Sequence, residues 1–176
     1  MNNTKPHVYI FADGSSARKD DIGAWAALAV TDTERKLLYG VNFPTTITRC
    51  ELLPIIEALR WIKTNWVKTA GFRVRVISDS EYTIKTLTGL YERRKNKELW
   101  AAVDEAALGM NVNYTWRERN TLPYMCVCDA VCGMLRRQTI NLMTTLADDP
   151  RLPEVEIPYG QMPDDVENLT MERIDT

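Results

Sequence analysis

The chain has 176 residues, 45% of them hydrophobic and 26% charged, a composition that suits one ordinary globular domain with a tail. It has no apolar run long enough for a membrane span, its start (Met1-Asn2-Asn3-Thr4-Lys5) is too polar for a signal peptide, and its four cysteines are too few for a disulfide scaffold. These features exclude membrane and secreted classes and favour a reducing, cytoplasmic setting. The net charge of −2 hides a division: from Asp148 onward nine acidic residues face two arginines, which leaves residues 1–147 near +5. A body of that sign can bind a polyanion, although so mild a bias also describes a solvated surface.

In chain order, residues 8–13 (Val-Tyr-Ile-Phe-Ala-Asp) read as a buried strand ending in a polar turn, 14–21. Residues 23–30 (Gly-Ala-Trp-Ala-Ala-Leu-Ala-Val) are helical on propensity, but a turn at 32–35 and a short run at 36–43 favour a three-stranded meander. Residues 48–63 have apolar positions at 52, 55, 56, 59 and 62, the spacing of an amphipathic helix, with Thr48 as N-cap and Glu51 completing a capping box. Pro54 conflicts with that helix and predicts a late start or a kink. Residues 73–78 alternate as a strand, and Asp79-Ser80 caps a helix running to about Leu90. The cluster Arg93-Arg94-Lys95-Asn96-Lys97 leads into a helix at 98–108, followed by a strand at 111–116 and a final helix at about 124–146. Residues 1–147 form the expected domain. Residues 148–176 hold four prolines and nine acids without periodicity, and are expected to be an acidic, loosely packed tail.

Strands followed by alternating helices and strands predict an α/β fold, a mixed sheet with helices on its faces. Four acids take special places on it: Asp13 and Asp79 at strand ends, Glu51 at a helix start and Asp129 early in the last helix. Each alone has an ordinary reading as a cap, a turn residue or a solvated helix position. For Asp129, an apolar stripe of Val127, Val131, Met134 and Leu135 leaves it on another helix face with Cys132 and Arg136. Carboxylates gathered together repel by roughly 4 kcal/mol per pair at 4 Å unless protonated or neutralised, and hard oxygen ligands select Mg²⁺ or Mn²⁺.

The stretch Ile10-Phe11-Ala12-Asp13-Gly14-Ser15 resembles the opening strand and aspartate of the ribonuclease H family, and Thr48-Arg49-Cys50-Glu51-Leu52 resembles its helix-start glutamate. Val76-Ile77-Ser78-Asp79-Ser80-Glu81-Tyr82 and Cys128-Asp129-Ala130-Val131-Cys132 are similar to its two later aspartate motifs, and Gly23-Ala24-Trp25-Ala26-Ala27-Leu28 to its second strand. The resemblance spans about residues 7–138, follows the type 1 pattern, and implies a five-stranded sheet, three strands antiparallel and then parallel ones, with helices on both faces. It further implies a monomeric endonuclease that hydrolyses the RNA strand of RNA/DNA hybrids with two Mg²⁺ ions, or Mn²⁺ as substitute. Asp13 would bridge both ions, Glu51 and Asp79 would complete one site, and Asp129 the other.

The pattern also departs from the family. The loop histidine found before the last helix in many members is absent: Asn120 stands about there and cannot shuttle a proton near neutral pH. The long basic protrusion of some members is missing too, which leaves Arg93, Arg94, Lys95 and Lys97 as candidate phosphate contacts. Ser15, Ser16, Thr48, Arg49, Ser80 and Asn120 complete the candidate nucleic-acid contacts. The loop after the first aspartate and the residues before Glu51 lack the family's asparagines, which read RNA 2′-hydroxyls. That opens two alternatives, a nuclease acting on another structured nucleic acid and a binding or regulatory module with relaxed activity. Cys126, Cys128 and Cys132 do not suit a single zinc, because residues 126 and 128 lie about 200° apart around a helix. Trp61, Trp66, Trp100 and Trp116 read as core, with Trp100 the best candidate for a stacking surface.

Overall fold

Strand β1 (Val8–Ser16) is the centre of one mixed sheet, because its alternating side chains are buried on both faces. It pairs antiparallel with β2 (Gly23–Val30), from Tyr9↔Val30 to Ser16↔Gly23, and β2 pairs antiparallel with β3 (Arg35–Asn42). On its other side β1 runs parallel to β4 (Phe72–Ser78), and β4 parallel to β5 (Met110–Trp116), for the order β3-β2-β1-β4-β5. Parallel neighbours need crossovers. Helix α1 (Ile47–Asn65) makes the first, and α2 (Glu81–Leu87) with α3 (Lys97–Ala107) makes the second; α4 (Pro123–Ala147) follows β5. This computed structural model describes residues 7–16, 22–43, 45–67, 72–119 and 121–147; Asn120, residues 17–21 of the expected turn and the segment 148–176 lie outside the described residues. Among the described residues no helix is long and apolar enough to cross a membrane.

Alternation along β1 builds two cores. Val8, Ile10 and Ala12 join Val74 and Val76 beneath Leu52, Ile55 and Leu59 of α1 and Trp100 and Val103 of α3. Phe11 turns the other way, with Ala24, Ala26, Leu28 and Ile77, under Met125, Cys128, Val131, Cys132 and Leu135 of α4. The predicted element order and the meander therefore stand.

Several local expectations need correction. β1 continues three residues past Asp13, because pairing with β2 extends to Ser16 and absorbs part of the predicted turn. α1 starts early: Thr46 is its N-cap, extended at φ −124° and ψ 157°, and its side chain accepts from the Arg49 N–H at 3.3 Å, so Thr48 lies in the first turn. The helix runs on through Pro54, which is buried. Proline leaves the Cys50 carbonyl without its helical donor; that carbonyl faces Gly14, where a Cβ would lie 2.5 Å from its oxygen. Helix α2 stops at Leu87 instead of near Leu90, since Gly89 at φ 80° closes it and the Leu90 N–H donates back to the Lys85 carbonyl at 2.8 Å. Cys132 belongs to the buried face of α4, not to the face of Asp129. Trp100 is core, its Nε1 donating to the Lys95 carbonyl at 2.8 Å, whereas Trp116 is exposed.

Candidate active site

The parallel pairing of β1 and β4 sets Ala12 beside Ser78, so the residues that follow, Asp13 and Asp79, leave the sheet as neighbours. Gly14 then lets β1 run against the first turns of α1, where an added Cβ would lie 2.4 Å from the Cys50 carbonyl carbon and 2.7 Å from the Glu51 nitrogen. That close approach sets Glu51 beside the strand ends; it completes no capping box, because Thr46 is the N-cap and Arg49 holds the third helical position. One carboxylate oxygen from each of Asp13, Glu51 and Asp79 lies within 4.8 Å of the others.

These carboxylates are unusually placed. Asp13 is 1% exposed and Glu51 8%. Neither oxygen of Asp13, nor Oε2 of Glu51, has a hydrogen-bond partner among the described residues. Burial, reinforced by the charge of Asp79 and opposed by Arg119, pushes the Asp13 carboxyl up from 3.8 to about 7. Burial, then the charges of Asp13 and Asp79, holds Glu51 well above the usual carboxylate range. Three converging oxygen ligands, two of them buried and short of donors, fit a hard divalent cation, which would satisfy the orphaned oxygens and favour their ionised forms.

The fourth acid stands apart. The Asp129 side chain is 49% exposed, and it is linked to the others by Arg119, whose Nη2 lies 3.5 Å from Asp129 Oδ1 and 3.8 Å from Asp13 Oδ1 while Nε donates to Asp79 Oδ2 at 2.8 Å. Sequence reasoning missed Arg119. A basic residue in the loop between β5 and the helix that carries Asp129 was the available signal. Trp116 also contributes here, its Nε1 donating to the Asp79 carbonyl at 3.1 Å, while the Arg117 N–H donates to the Ser78 carbonyl at 3.1 Å. Both bonds tie the loop to the end of β4.

Around the carboxylates, Ser15 accepts from Arg136 Nη1 at 2.9 Å, Ser16 ends β1, and Thr48 and Arg49 are half-buried in the first turn of α1. Ser80 follows Asp79 and donates through Oγ to Thr83 Oγ1 at 2.9 Å. The basic cluster lies in the turn between α2 and α3 and has other engagements. Arg93 makes a two-pronged ion pair with Asp104 and sits 5.8 Å over the Trp100 ring, Arg94 pairs with Glu92 at 3.0 Å, and Lys95 and Lys97 are exposed. All four cysteines are free. Burial drives the Cys128 and Cys132 thiols upward, so they stay protonated and donate to the Phe11 and Asp13 carbonyls at 3.3 and 3.5 Å instead of binding metal.

A family model for ribonuclease H matches residues 5–118, a stretch that stops one residue before Arg119. The chain is 31% identical over 122 residues to a ribonuclease H of Cupriavidus metallidurans, spanning 62% of this chain and 80% of that one. Its fold is similar to LC11-RNase H1, solved in complex with RNA/DNA hybrid, at a TM-score of 0.67 and 16% identity over 76% of this chain and 99% of that one. It is also similar to the N-terminal RNase H domain of a Mycobacterium tuberculosis protein, at a TM-score of 0.68 and 16% identity over 77% and 97% of the two chains.

Proposed function

Because the chain belongs to the ribonuclease H family and is an endoribonuclease of that type, we propose that it hydrolyses the RNA strand of RNA/DNA hybrids with two divalent cations, Mg²⁺ or, in its place, Mn²⁺. The observation that carries this reading is the set of Asp13, Glu51 and Asp79 oxygens within 4.8 Å of one another. These three would hold one cation, and Asp13 with Asp129 the other. Such cations supply charge stabilisation at phosphorus and a nucleophilic water at neutral pH.

The chain's own groups do the rest. Asp13 and Glu51, whose burial favours the protonated form, would hold a cation as ionised ligands, so its binding would release their protons. Gly14 and the first turns of α1 hold Glu51 against β1, so the ligand geometry is set by packed backbone. Thr48, Arg49, Ser15, Ser16 and Ser80 adjoin the carboxylates in the chain and are the candidate contacts to the hybrid backbone. Arg93, Arg94, Lys95 and Lys97 are more distant candidates, and Asn120 takes no proton near pH 7. The four free cysteines suit a cytoplasmic setting.

A cleavage panel tests the proposal, with the RNA strand of a hybrid, duplex RNA and duplex DNA labelled in turn and incubated in Mg²⁺, Mn²⁺ or EDTA. The expected result is metal-dependent cutting of the hybrid's RNA strand above the other substrates. Activity surviving in EDTA, or duplex DNA cut as fast as the hybrid, would overturn it.

A further inference from the structure

We infer that Arg119 is a tethered occupant of the gap between Asp13 and Asp129: without substrate its guanidinium stands where a second divalent cation would bind, and it passes to the substrate phosphate when that cation enters. The inference rests on the hydrolytic reading above and deepens it by assigning a positioning residue.

The geometry carries it. Nη2 lies between Asp129 Oδ1 at 3.5 Å and Asp13 Oδ1 at 3.8 Å, so guanidinium and metal cannot share that space. Arg119 nonetheless gives Asp13 no hydrogen bond, since 3.8 Å is too long for one. The guanidinium therefore offsets charge across the gap but satisfies the buried oxygens poorly, as expected of a group that a harder cation displaces. Nε keeps one firm bond, to Asp79 Oδ2 at 2.8 Å.

Departure of the head group needs little rearrangement. The Arg119 side chain is 57% exposed, so it reaches the carboxylates from the solvent side. Its loop is anchored independently. Before it stand the Arg117 N–H and Trp116 Nε1 bonds to the Ser78 and Asp79 carbonyls, both 3.1 Å, and after it the Leu122 carbonyl accepts from Met125 at 3.0 Å. A rotamer change frees the guanidinium while the loop stays seated. Once free, its planar fork matches a phosphodiester better than an ammonium would.

The test needs no catalysis. Mn²⁺ binding to the substrate-free full chain is followed by electron paramagnetic resonance in wild type, Arg119→Ala, Arg119→Gln and, as a charge control, Arg117→Ala. Wild type is expected to bind one Mn²⁺ well and a second weakly. Arg119→Ala and Arg119→Gln should each tighten the weaker site by about tenfold, more than the stronger one, as loss of one nearby positive charge requires. Arg117→Ala removes the same charge outside the gap and should leave the ratio of the two constants unchanged. In hybrid cleavage, Arg119→Ala should raise KM more than it lowers kcat, and Arg119→Lys should restore KM only in part. Unchanged or weakened Mn²⁺ binding in both Arg119 variants would overturn the inference and leave Arg119 as a strut for Asp79. Because resonance reads the metal and cleavage reads the substrate, failure of this inference and failure of the hydrolytic reading are told apart.

Discussion

Of the arginines that face carboxylates, Arg93 and Arg119 differ most, and the contrast between them separates a structural ion pair from a site built for chemistry. Arg93 meets one acid, Asp104, through two guanidinium nitrogens and lies over Trp100. Charges there balance one to one and both side chains reach water, at 33% and 58% exposure. Arg119 meets three acids, with Glu51 behind them, and three of the four oxygens of buried Asp13 and Glu51 have no hydrogen-bond partner among the described residues. Among the described residues one cation faces four acids, a local deficit of positive charge. A local surplus of buried, unpartnered carboxylate marks a cation site; a balanced exposed pair marks an ordinary surface contact.

The contrast breaks most sharply at Asp13. Asp13→Asn should lower cleavage of the hybrid's RNA strand by about a thousandfold, a loss typical of removing a central catalytic group. Its metal-free thermal midpoint above pH 7 should stay level or rise, because a buried, unpaired charge has gone. Asp104→Ala should do neither.

The pH dependence of the metal-free protein separates the two regions next. Asp13 binds its proton up to about pH 7 in the folded state, against 3.8 as its ordinary value. Folded protein thus holds the proton more tightly than unfolded chain, and stability falls as pH rises from about 4 to about 7, by at most about 4 kcal/mol. Urea midpoints measured in EDTA across that range should show the decline. Saturating Mg²⁺ should flatten it, and Asp13→Asn should make it shallower, with burial of Glu51 keeping part of the slope.

A smaller effect is expected beneath the site. Gly14→Ala puts a Cβ 2.4 Å from the Cys50 carbonyl carbon, so strand and helix must separate. The expected destabilisation is about 1–3 kcal/mol by urea unfolding, with Mg²⁺ affinity weakened as Glu51 shifts. Least of all, Asp104→Ala should lower stability by about 0.2–1 kcal/mol and leave Mg²⁺ affinity unaltered.

What the amino-acid sequence revealed divides along the same line. Strand and helix positions were legible because burial on one or both faces writes a local period, and the order of elements made Asp13 and Asp79 neighbours once β1 and β4 were taken as parallel. Glu51 was picked out by its resemblance to the family's helix-start glutamate; the capping box read beside it does not form, because Thr46 is the N-cap, and Gly14 is what lets α1 sit against the strand. Thr48 was read as the N-cap from its spacing to Glu51, whereas the helix begins two residues earlier, at Thr46. The length of β1 depended on its hairpin partner, and the passage of α1 through Pro54 on burial against the sheet; both are tertiary effects that override local preference. The partners of Arg119 could not be read for the same reason, since its bond to Asp79 spans 40 residues of chain. No short motif encodes such a contact.

The central claim is that Asp13, Glu51 and Asp79 form a cation site whose buried acids exchange protons for metal. Isothermal titration of the metal-free chain with Mg²⁺ near pH 6, repeated in buffers of different ionisation enthalpy, measures that exchange directly. Saturable binding with net proton release is expected, and Asp13→Asn should abolish most of both. Binding without proton release, or the same isotherm from Asp13→Asn, would contradict the account.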